Sequence, residues 1–208
     1  MKALAALLAA AVLAGCAAAP PAVDDLDLRS RSARLTALPG WDLRGRLAVD
    51  TGERAFQARF RWLQDGDALR LNVRGLFGAG SFEIAGREDA LTLRRGGERW
   101  QLVDPESELS ALFGWWMPVA SLNAWLLGVP DDAYEARART DRAARLVALE
   151  QRLWTLEFGD YQLASGIAVP GTIDMRHGPL TLKLTIDSFE PFAAAAARLE
   201  LDGAAPAE

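Results

Sequence analysis

The chain has 208 residues, of which 50% are hydrophobic and 25% are charged. This length and composition predict one globular domain with a sizeable core and exclude a chain that is disordered throughout. The formal net charge of −5 argues against a nucleic-acid-binding protein, and no apolar run beyond the N-terminus is long enough to span a bilayer as a helix. A single cysteine excludes an intramolecular disulfide, and a single histidine argues against a zinc site or a histidine-based catalytic centre.

The first sixteen residues have the order of parts of a bacterial lipoprotein signal peptide. A short positive start at Lys2 is followed by an apolar stretch over residues 3–12 and then by Leu13-Ala-Gly-Cys16. The stretch is too short to span a membrane stably, and small residues before the cysteine suit cleavage. We therefore predict that residues 1–15 are removed and that Cys16 carries the acyl chains that anchor the mature chain. The alternative is an ordinary signal peptide with an incidental cysteine.

The segment after the cysteine predicts both a tether and a location. Ala17 stands where Asp would favour retention in the inner membrane, so the lipoprotein sorting rules point to the periplasmic face of an outer membrane in a Gram-negative source. Residues 17–23 lack periodicity and predict a flexible tether. A short helix is possible over 28–38, although its apolar spacing is weak, and the lipidated cysteine and tether together occupy residues 16–40.

From Trp41 onward the patterning has a period of two, which predicts half-buried antiparallel strands. Strands are predicted around 41–49, 56–62, 69–73, 82–84, 91–93 and 100–102, and again around 146–149, 154–158, 173–175 and 180–186. The first six have short connections and form a meander long enough that it must curl. The predicted fold is mainly β (α+β), a large curved antiparallel sheet over residues 41–192, with a tail at 193–208.

A helical insert interrupts the strands at about 104–130. Asp104 followed by Pro105 predicts a helix start, and this helix should end at Gly114. Pro118 opens a second predicted helix over 119–127, which Gly128 ends. The insert is rich in Trp, Met and Leu, so we predict that it plugs the concave face of the sheet.

Charges and chemistry-bearing residues give no catalytic site. His177 is predicted in a surface turn without a partner, and no nucleophile elbow or phosphate-binding loop occurs. Residues 41–103 hold 11 arginines against 9 acids, whereas 104–208 hold 8 basic residues against 16 acids. Two interpretations stay open, namely solvated outer faces of strands or an arginine-bearing face that docks an acidic partner or lipid headgroups.

Leu76 and Phe77 stand between two predicted strands, where a connection is normally polar. Either both side chains fold back onto the sheet, or they form an apolar finger that enters lipid or another protein. The aromatic insert also has two interpretations: its side chains belong to the core, or they form a binding site for a ligand.

Several motifs in order resemble the LolB family of outer-membrane lipoprotein receptors, from Cys16 to about Glu190. The most specific is the segment from Met117 to Pro130, Met-Pro-x-x-x-Leu-x-x-Trp-Leu-x-Gly-x-Pro. The others are Trp41-x-Leu-x-Gly-Arg46, Phe60-x-Trp62, the Leu76-Phe77-Gly78 hairpin and Leu182-Lys-Leu-x-Ile186.

The resemblance implies an incomplete β-barrel of the LolA/LolB type with a helical lid over an apolar cavity. Such a protein accepts lipoprotein cargo from the periplasmic carrier LolA and inserts it into the inner leaflet of the outer membrane, as a monomer and without ATP, a cofactor or a metal. Phe77, with Leu76 beside it, matches the hydrophobic residue that the family exposes toward outer-membrane lipid. The predicted acyl-chain cavity and lid comprise Trp41, Phe60, Trp62, Leu71, Trp100, Trp115, Trp116, Met117, Leu122, Trp125, Leu126 and Trp154.

Two other classes of function remain open at this stage. The first is a scaffolding lipoprotein that uses the curved sheet to bind a protein or an envelope polymer, and it should pack residues 115–125 tightly without a displaceable apolar ligand. The second is a periplasmic lipid-modifying enzyme, which would need a polar catalytic cluster that the sequence does not provide.

Overall fold

The computed structural model describes residues 27–75, 80–87 and 90–192. Within these ranges the helices are α1 (Leu28–Thr36), α2 (Pro105–Phe113) and α3 (Val119–Leu126). The strands are β1 (Gly40–Asp50), β2 (Ala55–Asp65), β3 (Ala68–Gly75), β4 (Ser81–Arg87), β5 (Ala90–Arg95), β6 (Glu98–Leu102), β7 (Ala136–Thr140), β8 (Leu146–Gln151), β9 (Trp154–Gly159), β10 (Gln162–Ala164), β11 (Ile167–Val169), β12 (Thr172–His177) and β13 (Leu180–Phe192).

Eleven of these strands form one antiparallel sheet in the order β6-β5-β4-β3-β2-β1-β13-β12-β9-β8-β7. Strands β1 to β6 are neighbours in sequence order, which confirms the predicted meander. Strand β13 returns along β1, while β10 and β11 form a separate hairpin. Since β6 and β7 are the two edges and do not pair, the sheet is curved but open, and the predicted fold class is confirmed.

The helical insert connects the two edges of this sheet. Strand β6 ends at Leu102 and β7 begins at Ala136, so residues 103–135 cross from one edge to the other. Leu109 of α2 and Trp125 of α3 are buried in the same apolar cluster as the sheet residues. The insert therefore covers the concave face, as predicted.

Local capping explains where α2 begins and ends. The Asp104 carboxylate accepts a hydrogen bond from the Ser107 N–H, and Glu108 Oε1 accepts from the N–H groups of Val103 and Asp104 at 2.7 and 2.9 Å. Gly114 adopts φ 82°, in the left-handed region, and its N–H donates to Ser110 O at 2.9 Å. The predicted helix ends are confirmed because each depends on neighbouring residues alone.

Helix α1 forms at the predicted place, although its apolar spacing is weak. Asp27 caps it by accepting a hydrogen bond from the Ser30 N–H at 2.8 Å. Arg31 is buried and donates from Nη2 to Ala168 O at 2.5 Å, and its guanidinium lies 5.7 Å from the centroid of the Tyr161 ring. Leu35 of this helix is buried in the core cluster, so both polar and apolar contacts hold the helix against the barrel. In the described part of the chain, each helix falls short of what a bilayer crossing requires in length and apolarity.

Three strand features differ from the prediction. The five residues of β7 are all exposed, so no apolar alternation marks the strand in the sequence. The β10–β11 hairpin has three residues in each strand, too few for a periodic signal. Strand β13 continues past 186 to Phe192. Its pairing with β1 shifts register between Arg44 and Gly45, and because of this shift Phe189 faces the buried side.

Candidate functional site

The concave face of the sheet and the inner sides of α2 and α3 form one apolar cluster. Of the predicted cavity residues, the buried ones are Trp41, Phe60, Trp62, Trp125, Leu126 and Trp154. Those partly buried against the cluster are Leu71, Trp115, Trp116, Met117 and Leu122. Trp100 lies opposite Leu93 on the same face of the edge strand β6, but it is 39% exposed and outside the cluster. Cys16, Leu76 and Phe77 lie outside the described residues.

One aromatic group lies where β1, β2 and β13 meet. The Trp41 and Trp62 rings are stacked with their centroids 6.2 Å apart, and the Phe189 ring lies 5.9 Å from Trp41. Trp62 Nε1 donates to Gln64 Oε1 at 2.8 Å, which satisfies its buried N–H. This group closes the core at one side of the concave face.

A second aromatic group joins α3 to β9 and β12. The Trp125 and Trp154 centroids are 6.3 Å apart, and His177 stacks on Trp154 at 5.2 Å. The other neighbour of the imidazole is Trp116, at 5.6 Å, and His177 Nδ1 lies 3.1 Å from Leu153 O. His177 is the last residue of β12, directly before the predicted turn, which consists of Gly178 and Pro179, and its ring packs between two tryptophans.

A third aromatic group lies at the end of α2. Phe113 packs at 5.0 Å from Phe82 of β4 and at 5.7 Å from Trp115, which in turn lies 6.4 Å from Phe56 of β2. Phe82 is two residues beyond Gly80, whose carbonyl accepts a hydrogen bond from the Gly75 N–H at 2.8 Å. One end of the lid therefore lies beside the β3–β4 connection, which contains residues 76–79.

Two buried indole N–H groups have no acceptor within the described residues. They belong to Trp115, whose ring lies 6.4 Å from that of Phe56, and to Trp154, which stacks on His177. A buried donor without a partner costs about 1–3 kcal/mol.

Gln151 fixes α3 and the chain after it to the end of β8. Its buried Oε1 accepts from Trp125 Nε1 at 2.8 Å and from the Asp131 N–H at 3.0 Å. Its Nε2 donates to Asp131 O at 2.7 Å and to Tyr134 O at 2.9 Å. All four bonds join residues 17 to 26 positions apart, so this one amide fixes α3 and the chain after it to the end of β8.

Arg152, in the β8–β9 turn, binds both lid helices to the sheet. Its Nη1 and Nη2 donate to the two carboxylate oxygens of Glu106 in α2, at 2.8 and 2.6 Å. Nη1 also donates to Ser121 Oγ in α3 at 3.1 Å. The guanidinium lies 4.9 Å from the Trp116 centroid and 4.1 Å from that of Tyr134. The hydrogen bonds with Glu106 raise the pKa of Arg152, so its guanidinium stays charged.

The sequence predicted neither Arg152 nor Gln151 as part of the site. Glu106 has the local signature of a first-turn acid, and nothing in its surroundings points to a partner 46 residues away. The only local signal of an unusual role for Arg152 is its place beside Leu153 in a two-residue turn, where Asn, Asp or Gly normally occurs. Within the described residues, no three His, Cys, Asp or Glu side chains are grouped so as to hold a metal ion.

Known proteins match most of the chain. A family model described as outer membrane lipoprotein LolB matches residues 39–189. The outer-membrane lipoprotein LolB of Chromohalobacter salexigens is 31% identical over 188 residues, which cover 88% of each chain. The protein of the same name from Aeromonas hydrophila is 34% identical over 179 residues, covering 86% of this chain and 91% of the relative.

Solved structures share the fold at low sequence identity. A LolA superfamily protein from Nitrosomonas europaea matches with a TM-score of 0.54 and 10% identity, covering 80% of this chain and 94% of that one. A DUF1329 family protein from Desulfovibrio piger matches with a TM-score of 0.54 and 8% identity, covering 79% and 90%. At such identity these likenesses concern the fold alone.

Proposed function

The chain belongs to the LolB family of outer-membrane lipoproteins, and on that premise we propose that it transfers other lipoproteins into the outer membrane. It receives them from a soluble periplasmic carrier of the LolA type and releases them into the inner leaflet. Acyl chains on Cys16 hold it on the periplasmic face of that membrane, and the tether predicted over residues 17–23 provides its reach.

The observation that carries this proposal is an apolar concave face roofed by a short two-helix insert. Lipoprotein acyl chains are insoluble, so their transfer requires an apolar space that stays closed to water. Helices α2 and α3 have nine and eight residues and rest on the sheet through apolar side chains. Lifting this insert uncovers the apolar face that would receive the chains.

Exchange of one apolar surface for another makes an external energy source unnecessary. Exposing the apolar area beneath the lid costs a free energy of about 25 cal/mol per Å². An acyl chain that covers the same area recovers that free energy. Loading is then close to neutral in free energy, apart from the polar contacts of the lid. Release is favourable because the bilayer covers the chains completely.

The third aromatic group supports an exit route at one end of the lid. Phe82, Phe113 and Trp115 lie beside the Gly75–Gly80 closure, and the β3–β4 connection contains Leu76 and Phe77. In this proposal Phe77 enters the leaflet and perturbs it while acyl chains leave past the aromatic rings.

The test is a transfer assay with a defined start and end. A LolA-type carrier loaded with a labelled lipoprotein is mixed with the mature chain carrying C16A, and native gels then locate the label. We expect the label to move to this protein and, after addition of liposomes, to the lipid. Cargo that stays on the carrier while circular dichroism shows a folded protein would contradict the proposal and favour the scaffolding alternative.

A matched pair of lid variants tests the site itself. Leu122 is partly buried on the inner side of α3, whereas Leu112 of α2 is 41% exposed. A carboxylate in an apolar space is strongly disfavoured, so L122E should reduce cargo uptake by at least about tenfold. L112E introduces the same charge on the outer side and should take up cargo like the parent chain. Equal uptake by both variants would place the acyl chains elsewhere.

A further inference from the structure

The outer face of β1–β6 carries an excess of arginines. Cross-strand register assigns each residue to this face or to the apolar one. The basic residues on it are Arg44, Arg46, Arg59, Arg61, Arg70, Arg74, Arg87, Arg94 and Arg99, and the acids are Asp42, Asp50, Asp65 and Glu83. We call this the arginine surface.

The rest of the same outer face lacks this excess. On β7, β8, β9, β12 and β13 the basic residues are Arg137, Arg139, Arg176 and Lys183, and the acids are Glu150, Glu157, Asp174, Asp187 and Glu190. The whole chain has a net charge of −5. The arginine surface is therefore a local basic region on an acidic protein, and such asymmetry orients a protein toward an anionic partner.

Within the arginine surface, the row of Arg46, Arg59 and Arg74 places like charges directly opposite each other in two successive strand pairs. Arg46 pairs with Arg59 across β1 and β2, and Arg59 pairs with Arg74 across β2 and β3. Arg46 forms an ion pair with Asp187 at 3.0 Å. Arg59 and Arg74 are exposed, and no carboxylate within the described residues pairs with either. Directly opposed like charges destabilise a sheet, so this pair is unfavourable for folding.

The row lies at the end of the sheet where β3 leads into β4, which is also the end that holds the third aromatic group. Arg74 directly precedes Gly75, which closes the β3–β4 connection with Gly80. Leu76 and Phe77 belong to that connection. A bilayer presents phosphates immediately above hydrocarbon, so a basic row next to apolar side chains matches the order of its layers.

We propose that the arginine surface, centred on Arg59 and Arg74, binds the phosphate groups of anionic phospholipids. This contact orients the barrel so that the β3–β4 connection and the third aromatic group face the bilayer. The inference rests on the proposed function only in naming the bilayer as the place of delivery, because the binding can be measured without cargo or carrier. Each arginine near an anionic membrane strengthens binding about fivefold, so loss of both should weaken it roughly 30-fold.

Vesicle sedimentation tests the proposal on the mature chain carrying C16A, which lacks the acyl anchor. Phosphatidylcholine vesicles with and without phosphatidylglycerol are compared for the parent chain, R59Q/R74Q, R59K/R74K and R137Q/R139Q. The last variant removes the same charge from β7, at the far edge of the same face. We expect R59Q/R74Q to lose binding to anionic vesicles, R59K/R74K and R137Q/R139Q to retain it, and added salt to weaken it.

Each other outcome overturns the proposal. Equal binding of the parent chain to neutral and anionic vesicles would exclude headgroup recognition, and equal loss in R59Q/R74Q and R137Q/R139Q would indicate net charge alone. A loss of carrier binding by R59Q/R74Q with vesicle binding intact would identify the surface as a dock for an acidic protein. Cargo uptake from the carrier, measured without vesicles, separates the two proposals, since failure of the parent chain there contradicts the proposed function only.

Discussion

Arg152 and Leu153 occupy the central positions of the two-residue turn between β8 and β9, with φ of 51° and 63°. Such a turn usually contains Asn and Gly, because both central residues take the left-handed conformation. Arg152 uses this conformation to reach Glu106 and Ser121 of the lid. Leu153 is 86% exposed, so its side chain offers little burial in return. Strain at this turn therefore accompanies a contact that holds the lid.

Replacing Leu153 with glycine should stabilise the protein. The left-handed conformation costs an L-residue about 1–2 kcal/mol, and the entropy lost by glycine offsets about 0.5–1 kcal/mol of the relief. We expect L153G to raise the free energy of unfolding by about 0.5–1 kcal/mol, measured by urea denaturation. Leu163 of β10 is 78% exposed but has no positive φ, so L163G should lower that free energy. Destabilisation of similar size in both variants would show that the turn is not strained.

Most of the apolar site could be predicted at this scale, and its polar part could not. The alternation of apolar and polar residues predicted that Trp62 and Trp154 lie on the inner face, because every second residue of a strand points to the same face. Trp100 follows the same alternation, yet it stays 39% exposed because β6 is an edge strand. The contacts of Arg152 and Gln151 depend on which turn lies beneath the insert. That proximity is a property of the whole sheet, so no local pattern reports it.

Helix ends and strands differ in how far the sequence determines them. Asp104 and Gly114 define α2 through bonds to residues within four positions, so local reasoning was sufficient. Strand β7 consists of exposed residues and exists because β8 offers a free edge. Strand β13 reaches Phe192 because β1 continues to pair with it beyond the register shift. Elements that owe their formation to a partner strand were the ones that the sequence missed.

The lid helices should open more often when Arg152 is neutralised. R152Q removes the bidentate ion pair with Glu106, in which the Arg152 and Glu106 side chains are 11% and 24% exposed, and it removes the hydrogen bond to Ser121. Loss of such a partly buried contact costs about 1–3 kcal/mol, so amides of α2 and α3 should exchange hydrogen at least about fivefold faster. Hydrogen–deuterium exchange read by mass spectrometry gives the rates for residues 105–126 and for the sheet separately.

Arg145 provides the matched control for that experiment. Its ion pair with Asp141 at 2.6 Å has side chains that are 36% and 26% exposed, and it lies in the β7–β8 connection rather than against the lid. R145Q should leave the exchange of 105–126 unchanged. If R152Q leaves it unchanged as well, the lid is held by apolar contacts alone.

Over the whole molecule, one end of the barrel gathers the features that the proposed delivery to a membrane would use. The connection of residues 76–79, the aromatic group around Phe113 and the row formed by Arg59 and Arg74 all lie there. The Arg152 contact holds both lid helices to the β8–β9 turn, and β8 is next to the edge strand β7. By strand register the β8–β9 turn lies at that same end, with five strands between β8 and β3, so in the proposed function the contact that holds the lid and the surface that would meet the bilayer consist of different residues. Acceptance and delivery of cargo should therefore fail independently in different variants.

Phe77→Glu should separate acceptance from delivery. Burial of a phenylalanine side chain in hydrocarbon is favourable by about 1.5–3 kcal/mol, and a carboxylate in its place is repelled by the same medium. We expect F77E to take cargo from the carrier at the parent rate and to deliver it to liposomes at least about tenfold more slowly. L163E, with the same charge at an exposed leucine of β10, controls for net charge and should deliver normally. Unimpaired delivery by F77E would mean that the side chain at 77 does not enter the leaflet. Impaired acceptance would instead place that side chain in contact with the carrier or with the acyl chains.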